Sequence, residues 1–315
     1  MIATLFVALQ LCACGDARPT GCDRSGGPPH PEVGGELLYT CYARPAVRGG
    51  LYLLNVATGS VRPLTSDRAW NVDGAWSPGG GRIAFQSTRE GHSDLYLMDV
   101  SDGRVRRLTN GLGFNESPRW SPDGSWISFT SSRAGVKGPL GGAAGFHRNI
   151  YLVRPDGTDL RRLTSLSGFD GGAAWSPDGS GLAFVSDRGG AFDLYTMAPD
   201  GRDQRQITHH ASGPGYAAYP SWSPDGDQIA FNASNPPGDS AGSSIYSMPA
   251  GGGDAARVTR GYDFQADWSP DGSWIAFLGK RLGHTQLFAV RPDGSDLTQL
   301  TTDASDKDLP RWRPG

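Results

Sequence analysis

Apolar and polar positions in this chain fall into short runs that recur in one order. After each of a series of tryptophans comes an apolar run: RIAFQS (82–87), WISFTS (126–131), GLAFVS (181–186), QIAFNA (228–233) and WIAFLG (274–279). Farther on comes an aromatic-bearing run: LYLMDV (95–100), IYLV (150–153), LYTM (194–197), IYSM (245–248) and LFAV (287–290). A third run ends in threonine: VRRLT (105–109), LRRLT (160–164), RQIT (205–208), ARVT (256–259) and LTQLT (297–301). The runs are rich in β-branched and aromatic residues and are bounded by Gly, Pro, Asp and Ser, so they predict strands. None keeps an apolar 3.6-residue period long enough for a helix.

The tryptophans at 76, 120, 175, 222, 268 and 312 are spaced by 44, 55, 47, 46 and 44 residues, room for four strands per repeat. That is the size of one propeller blade. Between the tryptophan strand and the apolar run stands Ser-Pro-Asp-Gly, at Ser121–Gly124 and Ser269–Gly272 among others. Proline fixes φ at the second turn position, aspartate tolerates the third, and glycine takes the left-handed site that follows. This predicts a type I turn with a glycine bulge joining two strands of a hairpin. Similar signals, such as Pro155-Asp156-Gly157, join the third and fourth strands. The indoles are expected to pack between neighbouring blades.

Residues 36–65 hold ELLYTC, LYLLNV and VRPLT, which match second, third and fourth strands without a tryptophan strand before them. The C-terminus supplies Asp308–Trp312 and little more. One shared blade solves both ends and joins the first sheet to the last. The expectation is an all-β, six-bladed propeller over 36–315, four antiparallel strands per blade, its ring closed by a C-terminal inner strand.

Composition adds little to the fold and more to the setting. Net charge is −3, which gives no basic surface for nucleic acid or anionic lipid. The first 14 residues are apolar, too short to span a bilayer, and of signal-peptide length. Residues 15–35, dense in Gly and Pro, read as a flexible tether reaching about 25 Å. Cys22 and Cys41 could pair in an oxidising compartment.

Two resemblances follow from these residues. Leu11-Cys12-Ala13-Cys14-Gly15 resembles a bacterial lipobox, which implies lipidation of Cys14 and a membrane contact through the anchor alone; its n-region departs from the pattern in having no Lys or Arg. The repeat WSPDGxxIAFxSxR…LYxM…DG…LT resembles the TolB-type propeller repeat, also seen in propellers of tricorn-like and prolyl-oligopeptidase-type peptidases. The likeness runs over about 36–315. It implies a six-bladed ring in the periplasm or cell envelope and a protein or peptide partner such as a peptidoglycan-associated lipoprotein; Gly15 rather than Asp beside Cys14 resembles outer-membrane sorting and implies an anchor there. Family members of the TolB type also carry a separate N-terminal α/β domain, where this sequence has the 15–35 stretch.

Candidate chemistry is sparse. Gly238-Asp239-Ser240-Ala241-Gly242 fits a nucleophile-elbow pattern, but it stands in a proline-rich loop with no helix after it, so a plain loop is expected. His92, His147 and His284 share one repeat position. A metal site for a glycan lyase or hydrolase would need them to converge, and their loops belong to separate blades. Asn71, Asn115, Asp170 and Asp263 each precede a tryptophan by five residues and are expected to cap the turn entering the inner strand, with cation binding at the channel mouth the alternative. Arg89, Arg133, Arg188 and Arg281 are expected as interblade braces. Three long loops, 134–148, 209–219 and 234–244, project by strand direction from one face. They nominate Phe146, His147, His209, His210, Tyr216 and Tyr219 as a partner-binding surface on a rigid scaffold. The resulting expectation is a monomeric, non-catalytic binding scaffold with no metal and no cofactor.

Overall fold

Each Ser-Pro-Asp-Gly turn folds as its residues dictate. In the computed structural model, which describes residues 27–43, 48–66, 69–134, 147–165, 168–210, 215–234, 239, 242–281 and 283–315, the Gly124 N–H donates to Ser121 O at 2.9 Å with φ of 70° at Gly124. The Asp123 carboxylate accepts from the Ser125 N–H at 3.0 Å and from the Ser121 hydroxyl at 2.5 Å. Gly179, Gly226 and Gly272 repeat the geometry.

These turns and their counterparts link twenty-four strands: β1 (Glu36–Ala43), β2 (Arg48–Asn55), β3 (Ser60–Pro63), β4 (Asn71–Trp76), β5 (Arg82–Ser87), β6 (Asp94–Asp99), β7 (Val105–Arg107), β8 (Asn115–Trp120), β9 (Ile127–Ser131), β10 (Asn149–Val153), β11 (Arg161–Arg162), β12 (Asp170–Trp175), β13 (Leu182–Ser186), β14 (Asp193–Met197), β15 (Arg205–Gln206), β16 (Ala217–Trp222), β17 (Gln228–Ser234), β18 (Ser243–Pro249), β19 (Ala256–Arg257), β20 (Asp263–Trp268), β21 (Ile275–Arg281), β22 (His284–Val290), β23 (Thr298–Gln299) and β24 (Asp306–Trp312). They form six four-stranded sheets. Blade 1 has the order β24-β1-β2-β3, and blades 2 to 6 follow as β4–β7, β8–β11, β12–β15, β16–β19 and β20–β23. The six-bladed all-β architecture is the one expected.

Within a blade, strands two and three are pinned by a register-matched ring pair: Tyr39–Tyr52, Phe85–Tyr96, Phe129–Tyr151, Phe184–Tyr195, Phe231–Tyr246 and Phe277–Phe288, with centroids 5.7 to 6.1 Å apart. The threonine ending each repeat accepts the first interior amide of strand three. Leu51, Leu95, Ile150, Leu194, Ile245 and Leu287 donate to Thr65, Thr109, Thr164, Thr208, Thr259 and Thr301 at 2.8 to 3.0 Å.

The arginine column differs from expectation. Arg89 donates to Asn71 Oδ1 at 2.9 Å and to Ser87 Oγ at 3.1 Å, and it lies over the Phe85 and Tyr96 rings. Arg133 and Arg188 repeat this on Asn115 and Asp170, and Arg281 reaches Asp263 at 2.9 Å. All four pairs stay inside one sheet. The brace is intrablade because the arginine folds back over its own aromatic pair, a cation–π seat beside a fixed acceptor. Asn71, Asn115, Asp170 and Asp263 are thus the arginines' anchors, and three of them also cap: Asn71 Nδ2 donates to Ser66 O, Asn115 Nδ2 donates to Leu112 O, and Asp263 Oδ2 accepts the Gly261 N–H.

The hydrophobic core lies between blades. Among the described residues six buried clusters occur, one at each interface. Trp76 joins Leu38, Leu51 and Leu53 of blade 1 to Ile83 and Phe85 of blade 2. Trp120 and Trp268 do the same at their interfaces, with Trp175 and Trp222 packed at the margins of theirs. At the seam, Trp312 packs with Leu37 and Tyr39 of blade 1 and with Leu278 and Leu287 of blade 6. The indoles therefore wedge neighbouring sheets apart and seal them, as expected.

Closure runs through β24, which pairs antiparallel with β1: Leu37 faces Trp312, Leu38 faces Arg311 and Thr40 faces Asp308. The Arg313 N–H donates to Glu36 O, and its guanidinium meets the Glu36 carboxylate at 2.6 Å. Gly35, with φ of 76°, lies under the indole of Trp312, and a Cβ there would come within 2.8 Å of the ring. Cys41 is disulfide-bonded and its Sγ is 3.2 Å from Ser305 Oγ; Cys22 lies outside the described residues. Residues 27–35 are seated on the ring, although their composition predicts a tether. Gly27 donates to Leu300 O, His30 donates to Val56 O, and Val33 packs on the seam cluster. Backbone pairing with blades 1 and 6 orders a stretch whose side chains alone have little to bury.

Two outcomes test this account. Deleting residues 305–315 should unfold or oligomerise the chain, read by melting and gel filtration, because the seam loses its inner strand. Phe184→Ala should lower stability by about 3–5 kcal/mol in denaturant titration, the loss of a fully buried ring.

Candidate functional site

Six inner strands line a central channel, and none of them is regular. Each shifts register against its neighbour at the same place, between Val72/Ala75, Glu116/Arg119, Gly171/Ala174, Ala218/Ser221, Phe264/Asp267 and, on the partner β1, Leu38/Thr40. At each bulge the third residue before the tryptophan is left-handed: Asp73 (φ 51°), Ser117 (54°), Gly172 (60°), Tyr219 (55°), Gln265 (58°) and Leu309 (49°). Five of these carry side chains, each a strain on the order of 1–3 kcal/mol. Hydrogen bonds from the neighbouring blade offset it. Asp73 N donates to Thr40 Oγ1 at 3.3 Å, Gly172 N to Thr130 Oγ1 at 3.0 Å, Gln265 N to Asn232 Oδ1 at 3.2 Å and Leu309 N to Gln265 Oε1 at 3.0 Å. The bulges also re-aim side chains toward the axis.

The channel is graded in charge. Toward the face of the long loops stand Glu116, Asp308 and Asp73; toward the face of the Ser-Pro-Asp-Gly turns stand Arg119, Asp267 and Arg311. Arg148 meets Glu116 at 2.8 Å, Arg119 meets Asp73 at 3.1 Å, and Arg311 is 3.6 Å from Asp267. The Tyr42 hydroxyl donates to Asp308 Oδ2 at 2.9 Å, and Gln265 bonds both Asp308 and Tyr219. Protein crowds these groups on every side. Burial, opposed by the Tyr42 and Gln265 bonds and reinforced by the Asp73 charge, pushes the Asp308 carboxyl up to about 6. Burial likewise raises Glu116 and Asp267 against their arginine partners, and raises the Tyr42 and Tyr219 phenols.

The residues nominated from sequence separate. Cys14 and Phe146 lie outside the described residues, as does Ser240. His147 is half-buried with no acceptor or donor at its Nδ1. His209 is exposed. His210 is tied by Nδ1 to Asp193 at 2.7 Å, where Thr208 also bonds, so it buttresses the start of β14. Tyr216 donates its N–H to Ser234 Oγ at 2.6 Å and joins Phe169 and Phe192 at the rim of the blade 4–5 interface. Tyr219, assigned to a loop by sequence, is a strand residue of the channel. His92, His147 and His284 lie in blades 2, 3 and 6, and among the described residues no group of three or more His, Cys, Asp or Glu could hold a metal.

The channel residues were missed because they form no repeated column. The signal that could have found them is a charge directly before the tryptophan, at Arg119, Asp267 and Arg311, where the other blades have Ala75, Ala174 and Ser221. Asp308 supplies the test. Its carboxyl is raised in the fold, so the native state holds the proton more tightly than the unfolded chain, and stability falls as pH climbs from about 4 through about 6. Asp308→Asn should therefore match the parent below that window and exceed it by about 1–2 kcal/mol above it, measured by denaturant titration across pH.

Comparison with known proteins agrees with this architecture. The TolB beta propeller domain matches at residues 28–138, 143–234 and 204–315. A protein TolB homolog of Chlorobium luteolum is 48% identical over 50 residues, 16% of this chain and 12% of that protein. An uncharacterized peptidase of Bacillus subtilis, YuxL, is 45% identical over 67 residues, 21% of this chain and 10% of the peptidase. The chain thus spans about a tenth of the length of either relative. The crystal structure of TolB from Acinetobacter baumannii shares the fold with a TM-score of 0.76 at 24% identity, over 89% of this chain and 67% of that one. With its repeat matched on both sides of the long 134–148 loop and through the closing strand, this chain belongs to the TolB beta propeller domain family.

Proposed function

We propose that this chain is a non-catalytic scaffold of the bacterial cell envelope that captures a protein or peptide partner on its loop face. The observation that carries the reading is the apolar surface exposed in the loop-face connections beside an aromatic rim; Val105, Leu160 and Leu297, also exposed, stand singly at the β6–β7, β10–β11 and β22–β23 hairpins of separate blades on the opposite face. Leu112 and Phe114, in the β7–β8 connection, are 59% and 49% exposed, and Tyr262, in the β19–β20 connection, is 43% exposed. These connections join an outer strand to the next inner strand and open on the loop face. Tyr216, Phe169 and Phe192 form a partly buried aromatic rim on that same face. Aromatic and aliphatic anchors beside polar loops suit a protein contact.

The same reading places the chain outside the cytoplasm, exported on residues 1–14 and held by lipid at Cys14, as a monomer with no nucleic acid partner. A metal-dependent glycan lyase or hydrolase is the competing class, and it predicts a stoichiometric divalent ion in purified protein.

Crosslinking and pull-down from native envelopes should recover one dominant partner. Leu112→Glu with Phe114→Glu should abolish that capture and leave the melting temperature unchanged; undiminished capture would move the binding face elsewhere. Separately, Cys14→Ala should shift the protein from the membrane fraction to the soluble fraction. Retention on membranes washed in high salt would rule out lipid as the anchor.

A further inference from the structure

On the turn face, between blades 3 and 4, opens a cleft of about 510 Å³ whose walls include Trp126, Trp175, Arg162, Leu163 and Pro199. Both tryptophans are half-buried. The seam between blades 6 and 1 is built from the same parts. Trp274 precedes Ile275 as Trp126 precedes Ile127. Gln299 and Leu300 precede Thr301 as Arg162 and Leu163 precede Thr164. Val56 follows Tyr52 by four residues as Pro199 follows Tyr195. Trp312 and Trp175 are the wedge indoles of the two interfaces. Arg291 lies 4.1 Å from the Trp274 ring centroid, and Arg154 lies 3.9 Å from that of Trp126.

At the seam these parts are covered by the chain's own residues 27–35, GPPHPEVGG. The Gly27 N–H donates to Leu300 O, the His30 N–H donates to Val56 O at 2.9 Å, and His30 Nε2 lies 3.0 Å from Gln299 O. A turn follows, with the Val33 and Gly34 N–H groups both donating to His30 O at 3.1 Å. Pro31 stands at the turn position whose φ proline pre-sets. The turn lays Val33 on the cluster that holds Trp274 and Trp312, which are only 3% and 6% exposed. Two other interfaces are strapped by an arginine three residues before the terminal threonine: Arg106 donates to Pro155 O, and Arg205 donates to Gly251 O at 3.1 Å. Arg161 holds that position at the open cleft, but it turns back on Asp159 at 2.6 Å and lies over Trp126. Pro199 O accepts no hydrogen bond among the described residues. The blade 3–4 cleft thus keeps the indole pair of the seam and has neither cover. One detail differs: Gly201 crowds Leu163 O, where a Cβ would come within 2.6 Å, so the Gly27 bond has no counterpart.

We propose that the blade 3–4 cleft docks a short segment of another protein built like the stretch that covers the seam. The segment is a proline turn. Its first residue donates its N–H to Pro199 O, as His30 does to Val56 O, and an aliphatic side chain three residues on lies between Trp126 and Trp175. A proline at the second turn position holds the segment in shape before it binds, which lowers the ordering cost. Aromatic walls around one aliphatic anchor are the usual centre of a protein contact. The volume falls within the roughly 300–1,000 Å³ of specific ligand sites. The cleft lies on the face opposite the long loops, so this inference stands apart from the partner reading above.

The test titrates the whole chain with the peptide acetyl-GPPHPEVGG-amide and with the same peptide carrying aspartate for valine, read by calorimetry and indole fluorescence. Saturable binding of the valine peptide, at least about tenfold tighter than of the aspartate peptide, is expected. Trp126→Gln should weaken it by about tenfold or more. Blade 5 carries Gln228 at the equivalent position, so the fold accommodates that side chain. A photoreactive benzoylphenylalanine at the peptide's N-terminus should crosslink to residues 121–126, 161–163 or 175–178, which keeps the test decisive if Trp126→Gln fails to fold. No saturable binding at about 1 mM peptide would overturn the proposal. So would equal binding of the aspartate peptide, undiminished binding by a folded Trp126→Gln protein, or crosslinks confined to the seam or the loop face. Self-association of the parent chain that Trp126→Gln abolishes would give the cleft to a second copy and overturn the choice of occupant.

Discussion

Pairing of the last strand with the first is the constraint on which this ring depends. The cores lie between sheets, so a row of blades left open would bare an apolar face at each end. At the seam those faces carry Leu37, Tyr39 and Trp312 on one side and Leu278 and Leu287 on the other. The strands that close it are far apart in sequence; Arg313 and Glu36 are 277 residues from each other. That distance costs less than it suggests. Loop-closure entropy grows logarithmically, at about 0.6 kcal/mol for each doubling of length. One buried tryptophan wedge and five ladder pairs therefore outweigh the extra separation. Closure also fixes where the chain's own N-terminal stretch goes, since Gly27 and His30 find their backbone partners only on the two blades the seam unites.

The second constraint is the crowding of inner strands around the axis. A straight strand would turn alternate side chains into a space six strands already share. The bulge before each tryptophan relieves this by adding a residue and twisting the strand. Its cost is a left-handed residue in every blade, and the neighbouring blade's Thr40, Thr130, Asn232 or Gln265 steadies four of the six. Strain and interblade hydrogen bonding are thus the same feature seen from two sides. A blade cannot relax its bulge without loosening its contact with the next.

Much of this was legible because the repeat multiplies weak signals. One Ser-Pro-Asp-Gly is a turn; four of them and one Ser-Pro-Gly-Gly spaced by a blade's length, with a threonine-ended run and an aromatic pair between them, are a propeller. The ends were legible as well, since three strands without a tryptophan and a tryptophan without three strands complete each other. What a column cannot say is whom its members touch. Arg89 and its equivalents were visible as a set, yet the sequence does not distinguish a reach across blades from a fold back onto Phe85 and Tyr96. Composition misled at 27–35, where glycine and proline counts predict a tether and backbone amides decide otherwise. Tyr219 was read as loop because Gly and Pro precede it, although it occupies the bulge of β16.

The candidate site was less legible for a physical reason. The fold needs the same residue six times where blades are equivalent: an indole at the wedge, a ring in strand two, a threonine at the end of strand four. Near the axis equivalence becomes a liability. Six arginines placed directly before the six tryptophans would face one another across a few ångströms of partly buried space, and like charges there repel strongly. Charge in a channel of this kind must be unequal among blades. Here the position holds Arg119, Asp267 and Arg311 against Ala75, Ala174 and Ser221. A site built on such positions cannot repeat, so the search for repeats that reveals the ring passes over it. The residues that break the pattern nearest the axis are where this chain differs from a generic propeller. Each guanidinium there meets a carboxylate of the preceding blade, Arg119 on Asp73 and Arg311 on Asp267, so the unequal charges also tie neighbouring blades together.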